Sequence, residues 1–377
     1  MNQPYISVIV TAYNRRRYLP FALRSLEVQT LPRDKFEVIV VKNFDDKESD
    51  GIISRNGWKD VYNDDPYQGR MVLAGLEESR GEVITFLDDD DMYTNNRLEE
   101  VYKAFTSYDR LVYFHNSQAR IDENGNVLER PSLSKNIVGG STVIVDVDKL
   151  RTFAKKYGMS IVDITADIIL LKVRVRADVN SSSAAVKRDA LEASAYLLKE
   201  LPINIDNFVF VGSLRAGGLM YFTDEKLTLY RVHGENWSCY AEIARSGSNE
   251  TRLKRARAVI KMIKAYRLIG SRLLNGSINR YLCLERLNKG ALLLLPLPEL
   301  GTLPSELRLS LSDAKLALSC YKIGAEDFVD VVFVMESALL SPLLASPRGR
   351  LVIGKLLERV VEALTTKRTL RRDSLAN

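Results

Sequence analysis

The chain has 377 residues, of which 46% are hydrophobic and 27% are charged, and its formal net charge at pH 7 is +6. This length exceeds what one ordinary core needs and predicts two domains. The cysteines are too few and too scattered for a disulfide framework or a zinc site, and they suit a reducing compartment: Cys239, Cys283 and Cys320. No apolar stretch is long and unbroken enough for a transmembrane helix, and without a charged-then-apolar leader we expect no signal peptide.

The first predicted elements form a strand–helix–strand unit. Residues 6–10 are a short apolar, β-branched run that is typical of a buried strand, and a polar turn follows at 11–15. Apolar residues then recur at helical spacing from Leu19 to Leu26, with Pro20 suited to a first helical turn. Residues 36–41 are the next apolar run. This pattern predicts a βαβ unit with a right-handed crossover.

Four consecutive aspartates, Asp88 to Asp91, end the apolar run at 83–87. Carboxylates at the point where a buried strand leaves the core repel one another, and burial raises that cost. A divalent cation would remove the cost, and ligands bind beyond the carboxyl ends of strands in open α/β sheets. Taken alone, the acidic quartet is equally consistent with a solvated turn. The polar turn at 11–15 would meet it at the same edge of the sheet.

Further elements follow along the chain. The pattern predicts a strand at 60–62, a helix that Asn95-Asn96 can cap and that runs to Phe105, and a strand at 111–114. A hairpin turn through Asn124-Gly125 and a strand at 143–145 come next. Residues 151–200 show little periodicity, and we interpret 179–185 as a small polar loop.

Beyond residue 240 the composition changes. Residues 251–289 hold eleven Lys or Arg against one acid, Glu285, interleaved with aliphatic residues at helical spacing. We interpret this segment as a basic amphipathic helix that could break near Gly276, with further helices near 310–322, 327–340 and 350–365. The basic helix either packs by its apolar face onto the first domain or binds an anionic membrane surface. No nucleic-acid motif appears, so we expect no nucleic-acid partner.

Several segments, taken in order, resemble the family 2 glycosyltransferases of GT-A fold. They are residues 7–14 (SVIVTAYN), 37–41 (EVIVV), 81–91 (GEVITFLDDDD), 216–218 (AGG), 224–227 (DEKL) and 230–236 (YRVHGEN). The resemblance covers roughly residues 5–240. It implies an α/β GT-A domain at 1–240, with a mostly parallel sheet flanked by helices, and leaves a basic helical region at 241–377.

The resemblance also implies a metal-assisted transfer of a sugar from a nucleoside diphosphate sugar. Asp90 would bind Mg²⁺ or Mn²⁺, hard cations that suit oxygen ligands, and His233 could touch the metal or a phosphate. Asp88 and Asp89 would then face the ribose and the donor sugar. The remaining donor contacts would come from the first turn and from cations able to reach phosphate: Thr11, Ala12, Tyr13, Asn14, Arg15 and Arg70.

The chain departs from the family at the end of the second strand. The family's acidic pair, whose first member reads the base, is replaced by Lys42 and Asn43. A lysine cannot accept a hydrogen bond from a uracil N–H, whereas Asn43 can both accept and donate. Uridine diphosphate sugars remain the default donor from family frequency, and guanosine diphosphate sugars are the alternative.

A carboxylate is needed to accept the proton of the attacking hydroxyl. Family members use the aspartate of a Glu-Asp pair upstream of a glycine, and counting back from Gly217 gives Asp206, with Ile205 in place of the glutamate. Asp163 and Asp167 are the alternatives. With a lone carboxylate as base, displacement is direct and the anomeric configuration inverts.

The leading hypothesis is therefore an inverting glycosyltransferase whose acceptor is a glycan or a polyprenyl phosphate. We expect it in the cytoplasm, with the inner face of the membrane as a further location if the basic helix binds lipid. A non-catalytic GT-A-like scaffold is the alternative, since the Glu of the Glu-Asp pair is missing. A sugar-nucleotide nucleotidyltransferase is disfavoured, because 11–18 lack the glycines of a phosphate loop.

Overall fold

A computed structural model describes residues 3–128, 141–158, 180–233, 249–274, 280–293 and 301–310, with single residues and short pieces in 160–168, 312–313 and 334–346. The chain divides into two compact units, Met1–Gly234 and Glu235–Asn377. Each unit is described by itself.

The strands of the first unit form one mixed sheet with the order β3-β2-β1-β4-β8-β6-β9-β5, and β7 pairs with β9. β1, β2, β3 and β4 are parallel neighbours, whereas β8 runs antiparallel to both β4 and β6. The strands are β1 (Ile6–Ala12), β2 (Phe36–Lys42), β3 (Lys59–Tyr62), β4 (Val83–Asp88), β5 (Met92–Tyr93), β6 (Leu111–Ile121), β7 (Thr142–Asp146), β8 (Ala184–Lys187) and β9 (Leu219–Arg231). The α/β class is confirmed.

The helices of this unit connect and cover the strands. They are α1 (Leu19–Glu27), α2 (Lys47–Asn56), α3 (Gln68–Glu78), α4 (Arg97–Ser107), α5 (Val147–Tyr157), α6 (Arg188–Glu192) and α7 (Ile205–Ala216). Pro20 lies in the first turn of α1, as predicted. The cap expected for α4 is not made: the Asn96 side chain caps no amide of the helix, because its Oδ1 accepts from the Thr94 hydroxyl at 3.0 Å.

β1 and β4 lie in the middle of the sheet and carry the continuous apolar runs seen in the sequence. Five consecutive residues of β4 are buried, as are six of the seven residues of β1. α3 packs closely on β1, because a Cβ at Gly75 would lie 2.5 Å from the Ile9 side chain. The carboxyl ends of β1 and β4 are thus held rigidly side by side, with Thr11 in register with Asp88.

β8 and β6 both differ from the sequence prediction. The stretch interpreted as a polar loop at 179–185 contains a short 3₁₀ turn, Ser181–Ser183, and the start of β8, which lies between β4 and β6. β6 continues seven residues beyond the predicted end at Phe114, to Ile121. Its polar residues stay in the strand because they are paired: the Asn116 amide donates to the Thr228 hydroxyl at 2.9 Å and accepts from Arg97 at 3.1 Å.

In the second unit, the predicted basic helix is two helices. α8 (Asn249–Leu268) ends in a π-helical turn, Ile269–Leu273, and α9 (Arg280–Leu293) follows. The break expected at Gly276 lies outside the described residues, as do most of the helices predicted near 310–322, 327–340 and 350–365. In the parts of the chain that the structure describes, no helix has the length and hydropathy needed to cross a membrane.

Candidate active site

The acidic quartet lies where β4 leaves the sheet, beside the end of β1. Asp88 is the last residue of β4, and Asp89, Asp90 and Asp91 follow in a buried turn. Burial, and after it the charge of Asp90, raise the pKa of Asp88 to about 6. The pKa of Asp91 is also well above its usual range, mainly through burial. The solvated acidic turn considered from sequence is therefore excluded.

Arg15 reaches across from the turn after β1 and binds the quartet. Its guanidinium donates to both carboxylate oxygens of Asp89, and Nη1 lies 2.7 Å from Oδ2 of Asp90. Burial by itself would lower the pKa of Arg15, but the carboxylates of Asp89 and Asp90 raise it, so the side chain stays charged. Two predicted donor-side residues, Arg15 and Asp89, are therefore brought together as a partly buried ion pair.

Two residues at the end of β9 contact the quartet from another side. Arg231 is the last residue of β9, and His233 follows it. Nε2 of His233 lies 3.0 Å from Oδ2 of Asp90, and the His233 ring packs on Tyr18 with centroids 4.8 Å apart. Burial opposes ionisation of Asp90, yet the hydrogen bond from His233 and the charge of Arg15 lower its pKa. Arg231 is buried and donates from its backbone N–H to Asp91 at 3.1 Å. Asp90 is thus the ionised centre of the quartet.

The segment before β8 contributes three side chains that the sequence did not single out for a site. The Ser181 hydroxyl donates to Oδ2 of Asp88 at 2.9 Å, and the Ser182 hydroxyl accepts from the Asp88 backbone N–H at 3.1 Å. The Asn180 amide donates to Oδ2 of Asp91 at 3.0 Å. The only signal was a run of small polar residues directly before the short apolar stretch of β8, a pattern equally typical of a surface loop.

Asp206 lies beside this segment, in the first turn of α7. The Asn180 backbone N–H donates to Oδ2 of Asp206 at 2.9 Å, so a single residue bridges the predicted base and the acidic quartet. The alternatives, Asp163 and Asp167, lie outside the described residues.

The ends of β1 and β2 are tied together by two asparagines. The Asn14 backbone N–H donates to Oδ1 of Asn43 at 2.8 Å, and Nδ2 of Asn43 donates to Oδ1 of Asn14 at 2.9 Å. Asn14 has a left-handed backbone with φ of 58°. Thr11 and Tyr13 are half-buried and Ala12 is buried at the same edge. The first turn therefore lies at the same edge of the sheet as the acidic quartet, with Thr11 in register with Asp88.

Lys42 and Arg70, which were predicted to contact the donor, do not join this cluster. The Lys42 side chain is only 5% exposed, and its Nζ bonds Asp50 at 3.1 Å, Asp60 at 2.9 Å and the Phe44 carbonyl at 3.1 Å. These contacts hold the ammonium group inside the fold. Arg70 pairs with Asp65 at 2.6 Å and donates to the Lys199 carbonyl at 2.6 Å.

The donor atoms around Asp90 suit a hard divalent cation in their chemistry. Carboxylate oxygens of Asp88 and Asp90 are the ligands that Mg²⁺ and Mn²⁺ prefer, and an imidazole such as His233 is acceptable to Mn²⁺. In the arrangement described, however, Arg15 already neutralises Asp89 and Asp90. Within the described residues no group of three or more His, Cys, Asp or Glu is preformed to hold a metal. A cation at Asp90 would therefore compete with Arg15.

Comparisons with known proteins find a glycosyltransferase family and its members. The family model described as "Glycosyl transferase family 2" matches residues 7–160. An uncharacterized glycosyltransferase of Rickettsia bellii is 32% identical over 130 residues, which are 33% of this chain and 18% of the relative. One of Haemophilus influenzae is 32% identical over 145 residues, 36% of this chain and 56% of the relative. This chain thus spans between about a fifth and about a half of these relatives' lengths.

Among solved structures, the S. aureus TarS fragment 1–349 in complex with UDP-GlcNAc is similar at 14% identity, with a TM-score of 0.46 over 88% of this chain and 91% of that one. The family match covers β1 to β4, the turn that carries Arg15 and the whole acidic quartet. Through this segment, the chain is similar to glycosyl transferase family 2.

Proposed function

We propose that the protein is an inverting, metal-assisted glycosyltransferase that moves a sugar from a nucleoside diphosphate sugar to an acceptor hydroxyl or lipid phosphate. The observation that carries this proposal is the bridge at Asn180, which holds Asp206 next to the acidic quartet. Asp206 and the quartet come from distant parts of the chain, and this contact between them supports Asp206 as the base beside the donor.

The donor would lie at the ends of β1 and β4. Thr11, Tyr13 and Asn14 edge the space for the base and ribose, and Asp88 and Asp89 face the ribose and the sugar. Arg15 is the cation closest to the carboxylates that would flank the diphosphate, and it could exchange those carboxylates for phosphate oxygens, which have the same bidentate geometry. Arg15 would thereby stabilise the charge that develops on the leaving diphosphate.

Asp90 and His233 would hold Mg²⁺ or Mn²⁺, which when bound neutralises charge on the leaving diphosphate. Asp206 would accept the proton of the attacking hydroxyl. Oδ1 of Asp206 accepts from the Asn207 backbone at 2.8 Å and Oδ2 from Asn180, and carboxylate oxygens have further lone pairs for the acceptor. Because one base acts on the acceptor and attack is direct, the anomeric configuration would invert.

The proposal also names the donor base and the acceptor. Uridine is the default base and guanosine the alternative, with Asn43 rather than Lys42 as the residue near enough to the first turn to contact it. The acceptor is a glycan or a polyprenyl phosphate. An anionic membrane surface at the cytoplasmic face is a further candidate partner, through the exposed α8 cations Lys254, Arg257 and Lys264.

The decisive experiment incubates the full chain with Mn²⁺ and a panel of UDP- and GDP-sugars and measures released nucleoside diphosphate. Enzymes of this kind transfer slowly to water, so one donor should be consumed even without its acceptor. Asp206→Asn should abolish most of this release, whereas Asp34→Asn, which changes an exposed aspartate in the turn before β2, should leave it unchanged. If the wild-type protein binds a nucleotide sugar but releases nothing under any condition, the non-catalytic scaffold is the better description.

A further inference from the structure

Every polar group of Asn180 forms a hydrogen bond within the site. Its backbone N–H donates to Asp206 at 2.9 Å, and its side-chain Nδ2 donates to Asp91 at 3.0 Å. Its side-chain oxygen accepts from the Ser182 backbone N–H at 2.8 Å, and its carbonyl accepts from the Ser183 backbone N–H at 3.1 Å. The residue is nine-tenths buried. Asn180 therefore bonds the quartet through its side chain and the residue that carries the predicted base through its backbone.

The backbone of Asn180 explains why this residue type stands there. Its φ is +68°, in the left-handed region that most L-residues avoid and that asparagine tolerates better than most. That conformation turns the N–H toward α7 while the side chain points to the turn after β4. Glycine could keep the backbone but would lose both side-chain bonds, and aspartate would place a carboxylate against Asp91.

We propose that Asn180 is a positioning residue that fixes the carboxylate of Asp206 relative to the acidic quartet, and therefore relative to the bound donor. This inference rests on the proposed function, because it takes Asp206 as the base. Asp91 is the fixed end of the bridge: it is buried and also accepts from the Arg231 backbone N–H. Asp206 is only partly buried and is the end that Asn180 holds in place.

The proposal predicts a specific kinetic signature. A base displaced by about 1 Å loses rate by as much as a factor of about 10² while the substrate still binds. Asn180→Gly should therefore lower kcat by about 10- to 100-fold, with the donor KM nearly unchanged. In the double variant with Asp206→Asn the two losses should not multiply, because Asn180 acts through Asp206.

Ser183→Ala is the matched control. Ser183 lies in the 3₁₀ turn that Asn180 caps and is fully buried, but its hydroxyl accepts from Gln118 at 3.0 Å and makes no hydrogen bond to an acidic residue of the described site. It should retain near-normal kcat. If Ser183→Ala loses as much activity as Asn180→Gly, the effect is one of general turn stability and the positioning role is wrong. A rise in donor KM without a fall in kcat would overturn it as well.

A second measurement does not depend on catalysis. Amide hydrogen exchange at Asn180 should accelerate about tenfold or more in Asp206→Ala, because a hydrogen bond to a charged acceptor is lost, while the amides of β1 stay protected. This result would support the bridge even if the wild-type protein transferred no sugar and the proposed function failed. Unchanged exchange at Asn180 would show that the bridge does not exist in solution and would overturn the inference.

Discussion

Substitution of Arg15 is the most direct test of how the charge of the acidic quartet is neutralised. We consider Arg15→Gln, which removes the guanidinium and keeps a polar side chain of similar length. The carboxylates left behind are nearly inaccessible to water, with side-chain exposures of 1% for Asp89 and 9% for Asp90. Arg16→Gln is the matched control, since Arg16 lies over the Phe44 ring and donates only to the Asp45 carbonyl, at 3.3 Å.

Breaking a buried ion pair by removing one partner costs about 3–5 kcal/mol, because a buried charge loses its compensation. Arg15 itself is 26% exposed, so solvent screens part of the interaction, and we expect a loss of about 2–3 kcal/mol. For a unit of this size, each kcal/mol corresponds to about 2–4 °C in melting temperature. The variant should therefore melt about 4–12 °C lower in the absence of metal.

The stability lost in Arg15→Gln should depend on pH in a defined direction. Burial raises the pKa of Asp89 well above its usual value even with Arg15 present, and removal of Arg15 raises it further. A carboxyl group whose pKa is higher in the folded state destabilises the fold at high pH and ceases to do so when both states are protonated. The deficit of Arg15→Gln should be largest at and above neutral pH and should shrink as the pH falls toward the ordinary Asp value of 3.8.

The assay is thermal unfolding of both variants in EDTA and in Mn²⁺ across this pH range. Without Arg15 as a competitor, Mn²⁺ should stabilise Arg15→Gln more than the wild-type protein, and calorimetry should show tighter binding of Mn²⁺ alone. Arg16→Gln should behave as wild type in every condition. Equal melting of the two variants in EDTA would refute the buried pair, and an equal Mn²⁺ response would refute the competition.

Three further results are expected. Asp206→Asn should lower turnover by about 10²-fold or more, as for the loss of a general base, with calorimetric donor affinity little changed; near-normal turnover would move the role to another carboxylate. Lys42→Met should destabilise by about 1–2 kcal/mol in urea unfolding, because Asp50 and Asp60 are exposed enough to rehydrate, and should leave the ratio of UDP to GDP affinity unaltered; a shifted ratio would restore Lys42 to base recognition. The pKa of Asp88, raised to about 6, should make the metal-free protein lose about 3 kcal/mol as pH rises from about 4 to 6; Asp88→Asn should flatten that slope, and a parallel slope would contradict the assignment.

The part of the fold that the sequence predicts well is the part with continuous apolar runs. β1, β2 and β4 are buried on both faces, so their sequence is apolar without alternation and stands out from any surface element. β8 is equally central but only four residues long, and its small side chains, Ala184 and Ala185, carry little hydrophobic signal. Its burial is determined by β4 and β6 on either side, which no local pattern contains.

The residues of the site also divide into those that the sequence predicts and those that it does not. The acidic quartet is visible in the sequence because four buried carboxylates after a strand demand compensation, and Arg15 was identified as a candidate from its place in the first turn. Asn180 and Ser181 were not, because short polar residues have the same composition in a loop and in a site. The ion pairs of Lys42 were not predicted for a related reason: its partners, Asp50 and Asp60, belong to α2 and β3, and only the tertiary structure brings them to its ammonium.

The basic helix shows how packing limits an inference from charge. α8 is buried at Ala256 and Ile263 on one side and at Ala258 and Ala265 on the opposite side, so it does not offer the single open apolar face of an interfacial helix. Glu285, the one acidic residue in 251–289, is buried and forms ion pairs with Arg267 at 2.9 Å and with Lys289 at 3.0 Å. Part of the positive charge is thus used to pack the second unit. Any attraction of α8 to an anionic surface would act through exposed cations alone, which are screened within about 8–10 Å at ordinary ionic strength, so it would be electrostatic and salt-sensitive rather than insertive.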